Sequence, residues 1–110
     1  MGEEDLVILE IENNIASITF NNTKTGNSLN VKMINELIHV LKKLECDNKI
    51  RIVIITGKGK FFCTGMNLSG SENNEKIDPN LLFKTLLNFP KPIISKINGP
   101  AIAGGIKIIF

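Results

Sequence analysis

The chain has 110 residues, 43% hydrophobic and 22% charged, which is enough for one small domain with a modest core and too apolar for a disordered segment. Its 13 Lys and Arg against 11 Asp and Glu leave a formal charge of +2 with the basic residues scattered, which excludes nucleic acid as a partner. Two cysteines and one histidine make no zinc pattern, so no metal is expected, and no apolar run approaches the length of a membrane span, so no membrane insertion is expected either.

In chain order, residues 6–12 alternate, with Val7, Leu9 and Ile11 on one face and Glu10 and Glu12 on the other. Asn13-Asn14 then turns the chain into residues 15–20, and the pair reads as a β-hairpin. A polar loop over 21–27 leads to Asn30, whose short carbonyl-bearing side chain suits the N-cap of a helix running to about Asp47. Ile34, Leu37, Ile38, Leu41 and Leu44 recur at helical spacing and give that helix one apolar stripe.

The run over 50–56, IRIVIIT, is nearly continuous in β-branched residues and predicts a strand covered on both faces, ended by Gly57. Residues 69–78 are polar and irregular, a surface loop or lid. Pro79 suits the first turn of a helix reaching about Phe89, and Pro90-Lys91-Pro92 stops it, because neither proline donates a backbone hydrogen bond. A strand over 92–97 follows, then the turn Asn98-Gly99-Pro100 and the start of another helix. Strands alternating with helices place the chain in the α/β class.

Three familiar chemistries fail on these residues. A dinucleotide fingerprint counted from Gly57 and Gly59 meets Phe62 where its third glycine belongs, and GxxxxGK[ST] is absent. Cys63 needs a base to act as a nucleophile, yet the lone histidine, His39, lies off the apolar stripe of its helix; His39 reads as a surface residue and Cys63 as a small packing residue. Glu36, Glu45, Asp47, Glu72, Glu75 and Asp78 fall on helix surfaces or the polar loop. What remains is backbone: a turn through Phe62-Cys63-Thr64-Gly65-Met66, and Gly104-Gly105 at a helix start, where N–H groups and the helix dipole both favour negative charge.

These segments carry a family resemblance. FFCTGMNL after IRIVIIT, then Pro90-Lys91-Pro92 leading to NGPA and Gly104-Gly105, is similar to the crotonase superfamily of enoyl-CoA hydratases and isomerases, and GNSLN over 26–30 is similar to that family's adenine-contacting loop. The resemblance implies a crotonase-like spiral of ββα units, incomplete at the C-terminus, so that residues 1–110 form the N-terminal part of an acyl-CoA-binding domain. It implies an oxyanion hole made by the backbone N–H groups of Met66 and Gly104. Substrate and CoA contacts would fall on Ser28, Leu29, Gly65, Met66, Asn67, Leu68 and Gly104. Coenzyme A would enter as part of an acyl-CoA substrate, with no permanently bound cofactor, and the full-length protein would form a homotrimer or hexamer.

The family's hydratases carry a glutamate shortly after the glycine run, and here Lys107 stands at that position. An ordinary lysine, with pKa about 10.4, is protonated at neutral pH and is a poor base. The motifs resemble peroxisomal-type Δ3,Δ2-enoyl-CoA isomerases more than hydratases, so isomerisation of fatty enoyl-CoA thioesters is preferred. A hydratase, or a truncated module that binds acyl-CoA without turnover, is the alternative. The cysteine usage and the acidic start, MGEEDL, point to an intracellular protein, with cytoplasm, peroxisome and mitochondrion all left open.

Overall fold

A computed structural model describes residues 5–66 and 79–101. They form a mixed α/β fold: β1 (Val7–Glu12), β2 (Ile15–Phe20), α1 (Val31–Glu45), β3 (Ile52–Gly57), α2 (Pro79–Leu87) and β4 (Ile93–Lys96). The sheet order is β1-β2-β3-β4, with β1 antiparallel to β2, and β2, β3 and β4 mutually parallel. A parallel pair needs a long crossover, and α1 and α2 supply one each.

The hairpin forms as its sequence predicts. Asn13 and Asn14 both take left-handed backbone angles, φ 52° and 69°, the geometry that fits a two-residue turn to the twist of its strands. The register then sets Val7 beside Phe20, Leu9 beside Ile18 and Ile11 beside Ala16. Parallel pairing continues this face across Val53, Ile55 and Gly57. Against it lies the α1 stripe: Ile34, Leu37 and Leu41 are fully buried and join the strands in one core.

Each end of α1 is satisfied. At the start, the Asn30 side chain accepts from the Met33 N–H at 2.9 Å, as expected of an N-cap. At the end, Lys91 Nζ reaches the carbonyls of Leu44 and Asp47, both at 2.6 Å, so a cation sits where the helix dipole is negative. The lysine between the two prolines therefore ties the entry to β4 to the end of α1.

One expectation needs correction. β3 is covered on one face: Val53, Ile55 and Gly57 are buried, whereas Ile52, Ile54 and Thr56 are half-buried, because the helices and the core take only the alternate residues. Ile11 shares the core-facing row with Val7 and Leu9, as its alternation predicts, and is 53% exposed near the end of the edge strand. The polar loop over 69–78 and the final helix lie outside the described residues.

Candidate functional site

Three segments separated in sequence meet at one end of the sheet. The first is residues 22–29, a single 3-10 turn over Thr23–Thr25 followed by Gly26 and Asn27, both with left-handed backbone. The second is the exit from β3, residues 57–66. The third is the turn after β4, residues 98–101.

Asn27 and Asn98 hold the middle segment from either side. Asn27 is fully buried, and its Oδ1 accepts from the Asn22 N–H at 2.8 Å while its Nδ2 donates to Lys58 O at 2.9 Å and Phe61 O at 2.8 Å. Asn98 Oδ1 accepts from the Gly57 N–H at 3.0 Å, and its Nδ2 donates to Gly59 O at 2.9 Å and Phe61 O at 3.1 Å. Backbone polar groups need partners, and here side chains provide them where no ladder runs. Phe62 anchors the same loop in the core, edge-on to Phe20 with ring centroids 5.8 Å apart.

Beyond the clamp the chain runs beside both of its neighbours. Phe62 N–H donates to Pro100 O at 3.0 Å, and Cys63 pairs with Ala101 in a parallel bridge. Leu29 N–H donates to Gly65 O at 2.8 Å, pairing Leu29 with Met66 in a second parallel bridge. Ser28, Leu29, Gly65 and Met66 are thus brought together, as one site would require. Leu29 is fully buried in the core, so it has only its backbone to offer a ligand. Gly65 has φ 109°, a conformation that suits glycine and turns the chain just before Met66. Asn67, Leu68, Gly104 and Lys107 lie outside the described residues.

A cleft of about 260 Å³ opens beside this junction, lined by Thr23, Gly26, Lys58, Gly59, Lys60 and Phe61. Both lysines are exposed, so the rim is basic. A second cleft, of about 360 Å³, has Glu10 and Glu12 in its lining beside Ile11, Ile15 and Ile54. Its acidic rim opposes an anionic ligand. Among the described residues no cluster of His, Cys, Asp or Glu could hold a metal ion, and no helix is long and apolar enough to cross a membrane.

The sequence profile of the enoyl-CoA hydratase/isomerase family matches residues 10–110. The chain belongs to this family. A short-chain-enoyl-CoA hydratase of Clostridium acetobutylicum is 34% identical over 110 residues, covering 93% of this chain and 42% of that protein. The human enoyl-CoA delta isomerase 2 is 32% identical over 119 residues, covering 98% of this chain and 30% of that one. Among solved structures, an enoyl-CoA hydratase from Bacillus anthracis superposes with a TM-score of 0.84 at 26% identity, covering 96% of this chain and 44% of its own. The chain therefore spans less than half the length of these relatives, and hydratase and isomerase names both occur among them.

Cys63 is a packing residue of the core, as its sequence context predicts. It is fully buried, and burial pushes its thiol pKa up, with the contact to the Gly65 backbone only partly opposing the rise. His39 is exposed on α1. An unfolded thiol ionises near the ordinary 9.0, before the folded one does, so the stability Cys63 contributes is complete below that pH and is lost as pH rises through the folded value. A thiol reagent at neutral pH is expected to modify exposed Cys46 quickly and Cys63 only after unfolding. Mass-spectrometric counting of adducts with and without denaturant checks this; prompt double labelling of the native protein would contradict it.

The asparagine side chains are what sequence reasoning missed. Each stands next to a glycine, Gly26-Asn27 and Asn98-Gly99, and each reads locally as a turn residue. The available signal was two such asparagines flanking one glycine-rich strand exit.

Proposed function

We propose that this chain belongs to a protein that acts on fatty enoyl-CoA thioesters and stabilises the thioester enolate with the backbone N–H groups of Met66 and Gly104. The observation that carries the reading is the pairing at Leu29 and Gly65. It uses the Gly65 carbonyl, and among the described residues nothing accepts from the Met66 N–H. A preorganised N–H aimed at a carbonyl oxygen that gains charge is typically worth about 3 to 4 kcal/mol in the transition state. The basic cleft at Lys58 and Lys60 suits the polyanionic end of coenzyme A, which enters as part of the substrate and is not a resident cofactor.

Δ3,Δ2-isomerisation is the preferred reaction. A base takes a proton from C2 of the 3-enoyl thioester, the electron pair spreads onto the thioester oxygen as a dienolate, and the proton returns at C4, leaving the double bond conjugated. A lysine, with an ordinary pKa of about 10.4, suits neither this base nor the first carboxylate of a hydratase, and position 107 is a lysine. The greater length of the relatives leaves room for a carboxylate outside these 110 residues, and for the surfaces of a trimer or hexamer.

The full-length protein is expected to convert 3-enoyl-CoA to the conjugated 2-enoyl isomer faster than it hydrates 2-enoyl-CoA, with both rates followed through the absorbance of the conjugated thioester. Hydration alone would sink the isomerase preference. Acyl-CoA binding by calorimetry with neither turnover would favour the binding-only module.

A further inference from the structure

We infer that Asn27 and Asn98 are positioning residues for the Met66 N–H, acting through the Phe61 carbonyl that both of them hold. The inference rests on the enolate-stabilising reading above. A backbone carbonyl has two lone pairs, and at Phe61 one receives Asn27 Nδ2 at 2.8 Å and the other Asn98 Nδ2 at 3.1 Å. The N–H of the same peptide unit, that of Phe62, donates to Pro100 O at 3.0 Å. Because a peptide is planar, these three bonds fix its orientation from both edges, and any rotation breaks at least one.

That peptide begins the run ending at Met66. Downstream, the run touches its neighbours through the Cys63–Ala101 and Leu29–Met66 bridges. Both neighbours come from the segments that carry the asparagines: Leu29 lies two residues after Asn27, and Ala101 three after Asn98. The clamp therefore sets the register of all three segments together. Each asparagine also spends its second amide hydrogen on the glycine turn, at Lys58 O or Gly59 O, and its oxygen accepts from another backbone N–H, so both ends of each side chain are engaged in one arrangement. An oxyanion donor needs this kind of support, because its benefit depends on not having to reorganise when charge develops.

Asn27→Asp and Asn98→Asp in the full-length protein test the inference. Each keeps the accepting oxygen and replaces the donating amide with an oxygen that faces two carbonyls. The readouts are kcat and KM, and the 13C shift of a bound enoyl-CoA labelled at its thioester carbonyl, which moves downfield as donors polarise it. Both variants are expected to bind acyl-CoA within a few-fold of the parent and to lose kcat on the order of 10²-fold, with a smaller downfield shift. Partial recovery at low pH relative to the parent is also expected, because a protonated aspartic acid donates again.

Folded variants with the parent's kcat and carbonyl shift would overturn the inference. So would equal losses in binding and kcat with an unchanged shift, which is the pattern of a merely structural role. Should buried Asn27 tolerate no change, exposed Asn98 carries the test alone. A parent protein that leaves the bound carbonyl unshifted overturns the enolate reading itself, and the positioning role with it.

Discussion

Gly99→Ala is expected to destabilise the protein by roughly 3 to 5 kcal/mol, read as a lowered denaturant midpoint with an unchanged slope. A Cβ at position 99 would overlap the Lys60 carbonyl oxygen and lie 2.8 Å from its carbon and 3.3 Å from the Phe61 Cα. All three obstacles are backbone, so no rotamer change relieves them. The turn at 98–101 would have to move off the 57–61 loop, giving up the Asn98 bonds to Gly57, Gly59 and Phe61 and the bond from Phe62 N–H to Pro100. Each is worth about 0.5 to 1.5 kcal/mol net, which sets the scale of the loss.

Gly59→Ala is the control that makes this prediction sharp. Gly59 has φ 87°, where an L side chain is strained, but its Cβ would meet only the tip of Thr23 at 3.2 Å. Left-handed strain costs about 1 to 2 kcal/mol. Backbone conformation alone would rank Gly59 as the more sensitive position; the space available reverses the order. Equal losses at the two sites would mean that the close approach of the 98–101 turn is not what holds the junction.

The contrast also marks how far the sequence could be read. Asn13-Asn14, the Asn30 cap and the α1 stripe were legible because each is decided within a few residues by backbone angle, capping geometry or helical period. β3 was legible as a strand but its cover was not. A continuous run of Ile and Val is what a doubly covered strand looks like, yet only the second face of the sheet could reveal Ile52 and Ile54 half-exposed beside Ile94 at 50%.

The candidate site divides in the same way. The turn at Gly65 was legible because a glycine in a short motif after a strand marks it locally. The clamp was not, because Asn27 and Asn98 bond to backbone groups 31 to 41 residues away, and local patterning carries no record of contacts at that range. Glycine beside asparagine reads as a turn whether the amide ends in water or holds another loop. The difference lies in burial, which for Asn27 is complete.

Met66→Pro should separate the backbone role assigned to residue 66 from its side chain. Proline has no N–H, so in the full-length protein the substitution is expected to lower kcat by about 10² to 10³-fold, the usual effect of deleting one oxyanion donor. The site can admit proline on two counts: glycine precedes it, which eases the restriction proline places on its neighbour, and the hydrogen bond of the bridge runs from Leu29 N–H to Gly65 O without using the Met66 N–H. Met66→Ala keeps the N–H and removes a half-buried side chain packed against the core. It should cost about 1 to 3 kcal/mol of stability and leave kcat within several-fold of the parent. If alanine and proline depress kcat equally in folded protein, the side chain carries the effect and the oxyanion assignment at Met66 fails. If proline alone does so while acyl-CoA still binds, the loss lies in the transition state, where a carbonyl oxygen gaining charge would have met the missing N–H.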